Sequence, residues 1–212
     1  MSSHEEILAA RRLLRARHTA ALATLSLRLA GHPFASSVDY FTDHAGRPVF
    51  LISGLAEHSR NIAADPRISL LVQGASSDVQ ASPRLTVTGK ASGISAAEAA
   101  RLKTRYLRYF PAAAQYFALD FFFCRLEPSH LRYVGGFGVA RWIAPGDFLA
   151  GESGWTATEN TLTGRFPSLA GLDCDGFDLR EGDLPERRDF PAPLAPDQAE
   201  SILSTMIGNP PA

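Results

Sequence analysis

The chain has 212 residues, of which 45% are hydrophobic and 20% charged, and its formal net charge is −1. This is the composition of a folded globular protein with apolar material for a real core, and the balanced charge gives no electrostatic footprint for nucleic acid. Two cysteines, Cys124 and Cys174, make neither a zinc centre nor a disulfide framework, and no apolar run reaches the about 18 residues that a membrane span needs.

The first segment, MSSHEEILAARRLLRAR, is charged throughout and lacks the apolar centre of a signal peptide, so a cytoplasmic protein is expected. Ile7, Leu8, Leu13 and Leu14 recur about one helical turn apart, with Glu5 and Glu6 at the positive end of the predicted helix. Its basic cluster RRLLRAR (11–17), like RLKTRYLR (101–108), is expected to be a solvated helix face. TAALATLSLRLAG (19–31), FASSVDYFTD (34–43) and VFLIS (49–53) then read as three strands of an antiparallel meander. A helix over about 55–64 ends at Asp65-Pro66, because a residue before proline is pushed out of the helical region.

RISLLVQG (67–74) and RLTVTGKASGI (84–94) are further strands, with 76–83 as a loop between them. Ser95 and Glu98 form a capping-box pattern at the head of a helix over 95–110, which Pro111 breaks. FFFCRLEPSHLRYVGGFGVARWI (121–143) reads as two strands meeting at a turn near Pro128 and closing on a glycine-rich bend. After residue 144 the composition shifts. Residues 145–170 are rich in Gly, Ser and Thr with little periodicity, 171–190 resembles a hairpin, and 195–207 a closing helix. The expected organisation is a barrel domain over 1–144 and a small α+β satellite over 145–212. The fold class is mainly β, a split antiparallel barrel with helices at its periphery.

The residues give little support to nucleophilic or metal chemistry. There is no G-x-S-x-G elbow, and H-E-x-x-H, H-x-H and C-x-x-C spacings are absent. No catalytic residue is named. The stretch SGLAEHSRNIAADPR (53–67) carries more: a strand runs into a helix whose first amides are unpaired, a natural place for an anion. Ser53, His58 and Asn61 either hold such an anion or only cap and solvate the helix. The aromatic run FALDFFF (117–123) suits either a core or a wall for a planar ligand, and Arg141-Trp142 either a ring contact or a rim.

The order ATL, HPFASSV, VFLISGLAEHSRNIAADPRISLLV, PRLTVTGKA resembles the flavin-binding split barrel of pyridoxamine 5′-phosphate oxidase and its relatives. It is most similar to the haem-utilisation, haem-degrading branch, with its S-x-L-A-x-H-x-x-N and D-P-R motifs. These are matched here by Ser53, Leu55, Ala56, His58, Asn61 and Asp65 to Arg67. The later D-F-x-x-x-R-L and G-G-F-G-x-A patterns are matched by Asp120, Phe121 and Gly135 to Ala140. The resemblance covers about residues 15–143.

It implies a homodimer with two interfacial sites for a planar redox cofactor, FMN or, alternatively, haem. Ser53, His58 and Asn61 would lie on the phosphate side, and Ser36 and Ser37 would face the ring or ribityl chain. Arg84 would reach in from the partner subunit. The activity implied is that of a flavin-dependent oxidoreductase or a haem-degrading oxygenase, with a non-catalytic haem or flavin carrier as the alternative. For haem, His130 or an unusual ligand is the candidate for the axial position, since no histidine follows it.

Overall fold

The computed structural model describes residues 3–75, 78–136 and 138–208. Six strands form an antiparallel ring: β1 (Thr19–Leu25), β2 (Pro33–Thr42), β3 (Pro48–Ser53), β4 (Arg67–Gln73), β5 (Arg84–Gly93) and β6 (Phe121–Val134). They run in the order β3-β2-β1-β4-β5-β6, and β3 pairs back onto β6. Closure gives every strand of the ring a partner on each side, with β2 and β3 paired over only three residues. A seventh strand, β7 (Ala140–Ile143), adds to the outside of β6. The mainly β split barrel with peripheral helices and a small α+β appendage is therefore the observed architecture.

Alternation along the strands builds two apolar surfaces. Leu22, Tyr40, Phe50, Leu70, Leu85 and Leu131 fill the barrel. On the outside, Phe41, Val49, Leu51 and Phe123 are covered by α3 (Ala96–Tyr109) and the 3₁₀ segment Pro111–Ala118. The Ser95 hydroxyl accepts the Glu98 amide at the head of α3, as its spacing predicts. The first helix, α1 (Ser3–Arg15), packs Ala10 and Leu14 into the barrel core.

The expected turn at Pro128 is not one. β6 runs unbroken through it, because Pro128 lies opposite Gly89 at a register shift that leaves Ser129 of β6 without a partner, a bulge that tolerates the missing N–H. A Cβ on Gly89 would come within 1.9 Å of the Glu127 carbonyl oxygen. The glycine-rich bend turns β6 into β7 with Gly136 and Gly138 at positive φ, while Phe137 lies outside the described residues. Of the loop read over 76–83, Ser76 and Ser77 also lie outside them.

Beyond the barrel come α4 (Pro145–Phe148), α5 (Trp155–Arg165), β8 (Leu169–Asp173), β9 (Gly176–Leu179), β10 (Glu186–Asp189) and α6 (Ala199–Ile207). Phe148, just past the expected division at 144, packs into the barrel core. A separate cluster of Trp155, Leu162, Leu172, Phe177, Phe190 and Leu203 holds the rest together. The region with little periodicity contains α5. A carboxylate, Glu159, stands on its buried face between Trp155 and Leu162, which hides the helical pattern. The expected hairpin is a three-stranded sheet.

Several of the arginines read as solvated are not, although Arg101 is exposed. Arg15 and Arg105 are 4% and 5% exposed. Arg15 meets Asp173 at 2.8 Å and Asp175 at 3.1 Å, and Arg11 meets Asp175 at 2.8 Å. Arg105 and Arg108 both pair with Glu159, whose other neighbour is His44. Local spacing could not reveal this, since every partner lies more than 50 residues away. Burial pushes the Glu159 carboxyl up, but Arg105, His44 and Arg108 together hold it down at about 2. Among the described residues, no helix is long and apolar enough to cross a membrane.

Candidate functional site

The β2–β3 ladder extends only from Thr42–Pro48 to Tyr40–Phe50. Beyond Tyr40 the two strands part, which opens the split on the outer face of the barrel. Counting on three residues from the last pair brings Ser37 level with Ser53. Ser53 shares the outer face with Val49 and Leu51, and Ser37 lies opposite in phase to the core residues Val38 and Tyr40. Ser36, one residue earlier, falls on the inner side and is half-buried. Ser36 and Ser37 therefore point to opposite faces of β2.

From Ser53 the chain turns through Gly54–Ala56 into α2 (Glu57–Ala64). The cradle expected at this entry is present and holds a carboxylate of the protein itself. The Ser53 hydroxyl donates to both oxygens of Asp120 at 3.1 and 3.0 Å, and the Leu55 amide donates to Asp120 Oδ2 at 3.1 Å. The Leu55 amide also reaches Ser53 Oγ at 3.1 Å. A Cβ on Gly54 would lie 3.3 Å from the same carboxylate. Asp120 stands just ahead of β6, whose first residue, Phe121, is paired with Ser53. The closing β3–β6 ladder thus brings it here from 67 positions away.

The other predicted residues have separate surroundings. Asn61 is fully buried, its Nδ2 donating to Thr24 Oγ1 and its Oδ1 accepting the Leu27 amide, both at 2.9 Å. It pins α2 to β1 and to the turn that follows it. His58 is half-buried on α2, and its Nε2 is buried without a hydrogen-bond partner. Burial lowers its pKa, so the imidazole is neutral at pH 7 and adds no positive charge. Arg84 opens β5 and donates to the Val79 carbonyl at 3.1 Å. His130 is exposed on β6 opposite Thr88, within a strand and not in a turn.

Leu55 and Leu119, which flank the cradle in sequence, are 72% and 63% exposed. Farther off, Trp142 is exposed with the Arg132 guanidinium 5.3 Å from its ring, and Arg141 pairs with Glu6. Both cysteines are buried free thiols, raised to about 11 by burial. Asp120, the residue that decides the chemistry of the cradle, had only a motif match to mark it in the sequence. Its contact with Ser53 is a product of barrel closure.

A six-stranded ring whose β2–β3 ladder opens at a strand-to-helix entry defines a split barrel of the pyridoxamine 5′-phosphate oxidase kind. The chain belongs to the CREG β-barrel family, which it matches over residues 2–150. It is 34% identical over 131 residues to the chloroplastic non-canonical heme oxygenase HOZ of Arabidopsis thaliana. That match covers 62% of this chain and 40% of the plant protein. Among solved structures it is similar to Atu2129 of Agrobacterium tumefaciens, with TM-score 0.82, 27% identity and 95% of each chain covered. It is also similar to a heme binding protein of Mycobacterium smegmatis, with TM-score 0.64, 27% identity and coverage of 95% and 94%.

Proposed function

We propose that this protein binds haem rather than flavin mononucleotide, at the split between β2 and β3, and works in haem utilisation as a homodimer. The observation that carries the choice is the Asp120 carboxylate in the helix-entry cradle. A flavin phosphate is a dianion and would need those same donors, so it would meet a like charge at close range. Burial lowers the His58 pKa and so opposes its protonation, and Asn61 spends its amide inside the fold. Haem asks for something else, an apolar surface for its ring and a nitrogen ligand. The exposed Leu55 and Leu119 beside the cradle support the first of these demands.

The named heme protein from Mycobacterium smegmatis and the Arabidopsis oxygenase support the same reading. When bound, haem supplies the iron chemistry. The chain's own part would be to seat the ring against Ser37, Ser53 and the exposed leucines, with Arg84 approaching from the second subunit. The test is a pair of titrations on the purified protein. Haemin is expected to give a saturable Soret band at one equivalent per chain, and FMN fluorescence is expected to stay unquenched. Saturable FMN binding without a haemin complex would overturn the proposal. Adding a reductant under oxygen then separates two roles: loss of the Soret band with release of iron marks an oxygenase, and a stable spectrum a carrier.

A further inference from the structure

On the other side of β3 from the split lies a second concavity that the haem reading does not use. It has a volume of 480 Å³ between α3 and the start of β6. Its walls are aromatic: Phe117, Phe121, Phe122 and Phe123 on one side, and the small residues Ala96 and Ala99 of α3 on the other. Phe122 is 46% exposed, a high value for a phenylalanine on a strand. One charged group lines the cleft, Lys103, and no acidic residue does. The Lys103 ammonium lies 4.4 Å from the centre of the Phe117 ring, and among the described residues it makes no ion pair.

Each feature limits the occupant. Ring faces and edges favour an aromatic body, which packs on them offset or edge-on. The small side chains of Ala96 and Ala99 leave a gap wide enough for a flat group. A lone cation at an apolar rim is matched by a single anionic group, and the absence of acidic residues disfavours an amine. The opposite face of α3 shows the contrast. There Glu98 pairs with Arg125 and Arg105 with Glu159, so that the charges lining the neighbouring cavity are largely neutralised from within.

We propose that this cleft is a binding site for a small aromatic monocarboxylate, whose ring lies between α3 and the phenylalanines and whose carboxylate meets Lys103. The cleft adjoins the cradle, since Phe121 pairs with Ser53, but its proposal does not depend on the haem reading.

The test uses the full chain and 2-naphthoate as probe, followed by calorimetry. Saturable binding at one equivalent is expected, with 2-naphthylmethanol and 2-naphthylmethylamine binding more weakly. Lys103→Met keeps the side-chain stem and removes the charge. It should weaken 2-naphthoate about fivefold, the upper end for a partly exposed ion pair, and leave the neutral alcohol unchanged. Ala96→Trp, at an exposed rim position, should abolish binding of both while leaving the melting temperature in place. Saturating haemin should not displace the probe. Any of four results would overturn the proposal: no saturable binding; equal affinity for the amine; an unaltered Lys103→Met variant; or displacement by haemin. A cleft covered by a second copy of the chain would appear as the first of these, with a dimer that dissociates on Phe122→Ser.

Discussion

Replacing Asn61 by alanine separates a residue of the site from a residue of the frame. The Asn61 amide makes two hydrogen bonds of 2.9 Å, to the Thr24 hydroxyl and the Leu27 amide, at a position with no solvent exposure. Each such bond contributes a net of about 1 kcal/mol, and a buried partner left unpaired costs about as much again. The Leu27 amide is near the surface and can recruit water, whereas Thr24 is 2% exposed and its hydroxyl keeps only a long bond to the Phe34 carbonyl at 3.4 Å. A loss of about 2–3 kcal/mol follows, equivalent to a fall of about 4–12 °C in melting temperature for a chain of this size. Urea unfolding followed by circular dichroism measures it. At temperatures where the variant is still folded, its affinity for haemin should equal that of the parent. An unchanged unfolding midpoint together with lost haemin binding would refute the structural role and return Asn61 to the ligand.

Three further outcomes follow from the same geometry. Asp120→Ser removes the like charge from the cradle and frees the Leu55 amide; it should raise FMN affinity at least about tenfold, the worth of one hydrogen bond to a charged group. Unaltered affinity would show that phosphate does not use this entry. Arg15→Met leaves Asp175 with Arg11, and Asp173 with Arg187 at 2.8 Å. It should therefore cost about 3 kcal/mol, the lower end for breaking a buried pair, and a double-mutant cycle with Asp173→Asn should show coupling above about 1 kcal/mol.

The third concerns pH. The Glu159 carboxyl titrates at about 2 in the folded protein, below its ordinary range of about 4.3. Its contribution to stability is complete above that ordinary value and disappears as pH falls from about 4.3 toward 2. Asp173 acts in the same direction, and Asp178, raised mainly by burial, acts in the opposite one. Acid unfolding below pH of about 4.5 is the expected net result, with Glu159→Gln flattening the pH dependence.

The barrel was legible because its signals are local. Alternation in β1 to β5, the Asp65-Pro66 stop and the Ser95 cap each act within a few residues of themselves, and together they leave few topologies. The site was less so. SGLAEHSRN reads from sequence as either an anion site or a capped helix start, and what meets its Ser53 hydroxyl and Leu55 amide is Asp120, brought across the ladder that closes the barrel. His58 carries no sign in the sequence that burial strips its charge. RRLLRAR failed for a similar reason. Hydrophobic spacing assigned its leucines to the core, and nothing nearby showed that Asp173 and Asp175 would come back over its arginines.

Those arginines give the appendage a second property. The carboxylates of Glu159, Asp173, Asp175 and Asp189 act as a lid of negative charge over Arg11, Arg12, Arg15, Arg105 and Arg108. A chain cut near residue 150 would keep the cations and lose the lid. The barrel left behind would carry unpaired arginines at that surface, which favours adhesion to heparin, nucleic acid or anionic lipid over that of the intact chain.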